Sequence, residues 1–370
     1  MNTHPARSFL MLASALVLAT SAECLAQTKW VGKSLHPEGA RHSQGNASAS
    51  GIQGGKYTLP DSISTFLPAI WRGNTQSVEI LDPRPLGWWG GEVLGAHGIR
   101  QVGHLYSDTA GHAVAWSGSA TTLVDLHPAT GSYTSSTARY IFDNQAVGNV
   151  TKFGDDHAAL WDISTGTFTD LHPRGARTSG AIATDGVRQG GAADFQSLNM
   201  GRALIWNSSP NDYIDITPAG SRGASVRAMT AETQVGFSKF GNRTYAALWH
   251  NTAESFINLA PPEAYYSTVA ATTGEVHVGW ARILDVGDHA CAWISDSPDG
   301  FIDLHPSLGP NYVASDARAV SREGNVITVV GTALATSGRL EAVMWTATVP
   351  APGVLALASL AGLLAARRKR

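Results

Sequence analysis

Histidine and aspartate recur in this sequence in a fixed phrase, which is the first candidate for chemistry. Asp125-Leu126-His127-Pro128, Asp170-Leu171-His172-Pro173 and Asp303-Leu304-His305-Pro306 are full copies. Ser34-Leu35-His36-Pro37, Ile80-Leu81-Asp82-Pro83, Asp215-Ile216-Thr217-Pro218 and Asn258-Leu259-Ala260-Pro261 are variants. Imidazole beside carboxylate can bind a metal ion or move protons. The histidines His36, His127, His172 and His305, however, occupy equivalent places in different repeats of the chain. One ion needs its ligands within about 2 Å, and equivalent points on separate repeats cannot supply that. No metal and no cofactor is therefore expected. The aspartates are expected to accept turn hydrogen bonds at strand ends.

Other catalytic arrangements are lacking. The sequence has no Gly-x-Ser-x-Gly elbow, no His-Glu-x-x-His and no Gly-rich phosphate loop. Glu92, Asp155, Asp156 and Glu263 fall in different loops. A second set of residues points instead to binding. Four to six positions after each proline of the phrase stand Arg41, Trp88 and Trp89, Tyr133, Arg177, Arg222, Tyr265 and Tyr266, and Tyr312. Arginine and large aromatics are the side chains that anchor binding surfaces. Trp88-Trp89, flanked by Gly87 and Gly90 and without a counterpart in other repeats, is the first choice for contact with a ligand. The alternative is that these long side chains cover the ends of the strands.

The elements that carry these residues follow from the spacing of tryptophan. Trp71, Trp116, Trp161, Trp206, Trp249, Trp293 and Trp345 are 45, 45, 45, 43, 44 and 52 residues apart. Each unit reads as four short strands, which in one unit are 135–142, 146–151, 157–161 and 167–172. A glycine ends the second strand, at Gly54, Gly103, Gly148, Gly190, Gly236, Gly279 and Gly331. Four short strands at this period predict an all-β, seven-bladed propeller. The tryptophans are expected to fill the wedges between neighbouring sheets. Ala47, Ala138, Ala183, Ala228, Ala271 and Ala317 are expected on the innermost strands, where small side chains suit a crowded axis. Nothing of the phrase follows Trp345, whereas Ser34-Leu35-His36-Pro37 precedes the first unit. The N-terminal strand is thus predicted to complete the last blade, so that 27–348 folds as one domain, a monomer, and deleting 28–37 opens it.

The units resemble HAF-type extracellular repeats through His112-Ala113-Val114-Ala115-Trp116, His157-Ala158-Ala159-Leu160-Trp161 and His289-Ala290-Cys291-Ala292-Trp293. In this chain His-Pro replaces that family's Gly-rich continuation after Asp-Leu. The resemblance implies an exported protein and no particular reaction. The ends agree with export. Residues 1–26 read as a signal peptide, with Arg7, an apolar stretch from Phe9 to Ala19 and a Cys24-Leu25-Ala26 cleavage site. Residues 349–370 run from Val349-Pro350-Ala351-Pro352 through an apolar stretch, Val354 to Ala366, to Arg367-Arg368-Lys369-Arg370. This tail resembles the PEP-CTERM sorting tails of Gram-negative bacteria, with Ala351 where that motif has Glu. The resemblance implies an exosortase-type partner, transient anchoring in the inner membrane, and delivery to the cell surface or beyond. Without both ends Lys+Arg falls to 21 and Asp+Glu to 28, a net charge near −7, which argues against nucleic acid as a partner.

The sequence thus predicts a non-catalytic envelope or extracellular-matrix protein that binds a polysaccharide or a surface protein. The alternatives are a polysaccharide hydrolase or lyase acting on the same face, and a purely structural matrix component.

Overall fold

The computed structural model describes residues 29–62, 65–195 and 201–349. The signal segment 1–26 and, apart from Val349, the sorting motif and tail lie outside the described residues. Among the described residues no helix is long and apolar enough to cross a membrane.

Each repeating tryptophan lies in the third strand of an antiparallel group of four, and the groups follow one another along the chain. The Trp161 group is typical: Tyr133–Phe142, Gln145–Lys152, Asp155–Asp162 and Thr167–Asp170 pair in chain order. The Trp249 and Trp293 groups are further joined by one parallel bridge, Thr244 to Tyr266. The Trp345 group differs in origin. Its first three strands are Tyr312–Glu323, Val326–Ala335 and Leu340–Thr348, and its fourth is Val31–Ser34 from the front of the chain. Val31 pairs with Thr346 and Ser34 with Val343, and the Leu35 amide donates to the Ala342 carbonyl over 2.7 Å.

Neighbouring groups are held together by one apolar contact used seven times. The Leu or Ile of each phrase is buried with the tryptophan of the next group. Leu126 sits with Trp161, Leu171 with Trp206, Ile216 with Trp249, Leu259 with Trp293 and Leu304 with Trp345. Leu81 does the same with Trp116, and Leu35, from the borrowed strand, with Trp71. The Trp293 and Trp345 indoles also donate to the carbonyls of Leu259 and Leu304.

The histidines of the phrase belong to a polar latch beside this contact. The Asp side chain accepts the amide of the residue two places on, as in His127, His172 and His305. Its other oxygen takes a histidine from the third strand: His112–Asp125 at 2.8 Å, His157–Asp170 at 2.9 Å, His289–Asp303 at 2.7 Å. The two imidazoles stack, with centroids 4.1, 3.8 and 4.1 Å apart. The phrase histidine then meets a buried serine on the next group: His127–Ser136, His172–Ser179, His305–Ser315 and His36–Ser43. Those serines accept the amides of Ala113, Ala158, Ala290 and Ala342. In His36 and His172 the Nε2 atom faces a carbonyl, of Ala40 and Ala176, which can only accept. Nε2 must therefore carry the proton, and the serine hydroxyl donates to Nδ1.

The first strand of every group carries a β-bulge at one repeated place. Register there corrects the sequence alignment by one or two residues. Gly148 pairs with Ala138 and Gly331 with Ala317, but the equivalent pairs elsewhere are Gly55 with Gly45 and Gly191 with Ala181. Gly54 and Gly190 are one place early, and Ala47, Ala183, Ala228 and Ala271 lie on the far side of the bulge. At the true position the backbones approach so closely that a Cβ on Gly148 would overlap the carbonyl oxygen of Thr137. Gly148→Ala is accordingly expected to cost about 3 kcal/mol, read as a lower denaturation midpoint at unchanged slope.

Candidate functional site

A bulge turns one extra side chain out of the sheet. The bulged residues, in chain order, are Asn46, Leu94, Arg139, Ile182, Arg227, Ala270 and Arg318. All of them line one cavity of about 400 Å³ between the first strands of the groups. Arg139, Arg227 and Arg318 thus project into a common space, and the sequence reading had passed over all three. The visible signal was an arginine next to the small residue of the inner strand, as in Ala138-Arg139, Arg227-Ala228 and Ala317-Arg318. Only the bulge shows that these side chains leave the sheet.

The three guanidinium groups are held differently. Arg318 makes a two-pronged contact with Asp316 at 2.8 and 2.9 Å and donates to the Asn46 side-chain oxygen at 2.8 Å. Asn46 passes the connection on, donating to the Val93 carbonyl and to Glu92, which also pairs with Lys56 at 3.0 Å. Arg139 donates to the neutral oxygen of Asn149 at 3.0 Å. Arg227 lies over the Phe237 ring, 5.3 Å from its centroid. Among the described residues neither Arg139 nor Arg227 has a carboxylate within ion-pair distance. Desolvation pulls Arg227 below the ordinary arginine range; Tyr266 opposes the shift and the charge of Arg139 adds to it.

A second cavity, of about 700 Å³, opens where the links between groups meet the loops joining second to third strands. Leu59, Pro60, Asp61, Ser62, Thr65 and Arg84 line it together with Trp88 and Trp89. Trp89 is 51% exposed, whereas Trp88 is tucked against His112 with ring centroids 4.8 Å apart. Arg84 is fixed by Asp82, and its hydrogen bonds hold the Asp82 carboxyl below its usual range.

The remaining predicted binding residues are spread along the same end of the strands and are not gathered into one site. Tyr133 donates to Asp170 and Tyr312 to Glu341; burial pushes both phenols up to about 12. Arg177 pairs with Asp194 at 2.9 Å. Arg41 and Arg222 are exposed, and Arg222 lines a smaller cavity of about 300 Å³ beside Arg202 and Phe195. Tyr265 is 48% exposed, and Tyr266 stacks on Trp280 at 4.7 Å. No group of three His, Cys, Asp or Glu side chains able to hold a metal ion occurs among the described residues.

No family model and no curated protein matches the sequence. The fold, in contrast, has many solved counterparts. A puromycin hydrolase S511A mutant complexed with PGG aligns with a TM-score of 0.56 at 10% identity, covering 82% of this chain and 53% of that one. This chain therefore spans about half the length of the hydrolase. The β-propeller domain of the trilobed protease from Pyrococcus furiosus, described as having an open velcro topology, aligns at 0.53 with 7% identity, covering 84% and 97%. These likenesses define the class, an all-β protein of the β-propeller type. At such identities they speak for the fold alone.

Proposed function

We propose that this chain is an exported cell-envelope or matrix protein, a closed seven-bladed propeller that binds a polysaccharide without transforming it. The pairing of Val31–Ser34 with Leu340–Thr348 and the repeated Leu–Trp contact, Leu35 with Trp71 included, support closure. The HAF-like repeats support export, and the signal-like and PEP-CTERM-like ends support passage through the inner membrane and an exosortase-type partner. Val349, at the head of the sorting motif, is buried and bonded to the Asn325 carbonyl, so the motif would begin where the domain ends.

The observation that carries the binding role is the half-exposed Trp89 indole in an open cavity lined by Leu59, Pro60 and the fixed Arg84 guanidinium. An aromatic face beside hydrogen-bond donors is suited to a sugar ring, which has an apolar face and a hydroxyl edge. A binder is favoured over a hydrolase because Asp61 is the one carboxylate among the described residues lining the Trp89 cavity, whereas glycoside hydrolysis ordinarily uses a pair. Polysaccharide array binding by the full chain tests the reading. Trp89→Ala is expected to weaken the parent's glycan binding about tenfold, the factor equivalent to 1.4 kcal/mol, with no change in melting. Trp88→Ala is expected to lower melting as well, because that ring packs on His112. An identical glycan profile for parent and Trp89→Ala would remove the proposal.

A further inference from the structure

We propose that the axial cavity is a second binding site, distinct from the Trp89 cleft, which takes a small polycarboxylate on Arg139, Arg227 and Arg318. Among the described residues the charged side chains lining this space are these three arginines; Asp316 is joined to it through Arg318, and Glu92 and Lys56 through Asn46. Glu92 is matched by Lys56 and Asp316 by Arg318, which leaves Arg139 and Arg227 without a counter-charge among the described residues.

Arg139 and Arg227 are exposed within this concave space, and like charges converging there without a counter-charge raise the local positive potential, which an anion placed between them lowers. The depressed proton affinity of Arg227, caused by desolvation and by Arg139, agrees with two like charges facing a shared space. Guanidinium presents a planar fork of donors that matches the two oxygens of a carboxylate. Ile182 and Ala270 occupy the bulge positions between the arginines, and Leu94 the one before Arg139. The cationic points are therefore separated by apolar ones, which suits several carboxylates on a short carbon frame better than one compact phosphate. A volume of about 400 Å³ sets the scale at a small molecule.

Calorimetric titration of the full chain at low ionic strength, with citrate, inorganic phosphate and chloride as separate probes, tests this. Citrate is expected to bind and to raise Tm, as any ligand of the native state must. Phosphate is expected to bind at least tenfold more weakly, and chloride not measurably. Arg227→Met should weaken citrate binding more than tenfold while its ligand-free Tm stays close to the parent's, because Arg227 is exposed to the cavity and makes no ion pair among the described residues. Arg139→Gln carries the same expectation for binding and serves if the first variant fails to fold. Arg243→Gln, on an exposed strand position away from the cavity, should bind citrate as the parent does. Absence of citrate binding by the parent, retained affinity in Arg227→Met and Arg139→Gln, or phosphate binding as tightly as citrate would each overturn the proposal. Glycan binding at Trp89 should survive Arg227→Met, so failure of one site is distinguishable from failure of the other.

Discussion

Deleting residues 28–37 is expected to abolish cooperative folding of the domain or to lower its Tm by tens of degrees. The segment supplies the fourth strand of the Trp345 group, and with it go the four paired positions Val31 to Ser34 and the Leu35 amide bond. Each backbone hydrogen bond contributes about 0.5–1.5 kcal/mol. The fully buried Leu35, packed with Trp71, Val330 and Ala342, is worth a further ~2–5 kcal/mol on the scale of large-to-small core changes. The latch from His36 to Ser43, and through Ser43 to the Ala342 amide, is lost as well. Together these approach the ~5–15 kcal/mol that stabilises a typical domain. Leu35→Ala separates the parts: it keeps the strand and should lose only the apolar share. A truncated protein that melts at the parent's temperature would show that the first and last groups do not depend on one another.

The second large effect is expected on acidification. Burial holds the phrase histidines His36, His127, His172 and His305 below the usual histidine value of 6.5. Their surroundings differ in charge: His127 faces His112 and Asp125, His172 faces His157, Asp170 and Asp155, His305 faces His289 and Asp303, and His36 faces Glu341, Arg339 and His42. In each, the neutral form is favoured on folding. Below about 6.5 the unfolded chain therefore binds protons that the folded chain does not. The stabilisation is complete above that value and declines as pH falls from about 6.5 through the lower folded values. A charged imidazole would also turn Nδ1 into a donor against a serine hydroxyl that now donates to it. The expected result is a Tm that is flat from pH 8 to 7 and several degrees lower by pH 5.5. His172→Gln should flatten the slope in proportion to its share. A Tm that rises across that interval would contradict the latch.

Much of the architecture was legible because the repeat is written in residue types that packing demands. A tryptophan every 45 residues or so and an Asp-Leu pair after most of them are two halves of one contact, Leu to the next Trp. The orphan phrase at 34–37 pointed to the pairing with 340–348 for the same reason. The chemistry of the histidines was half legible. Counting showed that they could not share an ion, but not that His112, His157 and His289 of the third strands stack on them, since that needs the register of the Trp strand against the phrase. The binding residues were least legible. Position after proline placed Arg41 through Tyr312 at one end of the strands, yet side chains of similar type there serve different ends: Tyr133 and Tyr312 reach back to carboxylates of their own groups, while Trp89 stays open. The axial arginines escaped notice because a bulge breaks the two-residue alternation on which any assignment of inward and outward positions rests.

That break has a consequence for how such a molecule can diversify. In an unbroken strand, exchanging an inward residue disturbs the partner sheet, whereas the side chain at a bulge points into the shared cavity. Polar bonds there, such as Arg318 to Asn46, join some of these side chains and leave others apart. Asn46, Leu94, Arg139, Ile182, Arg227, Ala270 and Arg318 thus form seven slots, one per repeat, that can be refilled one at a time while the frame keeps its shape. The variety of letters already present in those slots, cationic, aliphatic and amide, beside the uniform Leu and Trp of the frame, fits a scaffold whose cargo can change without its structure changing.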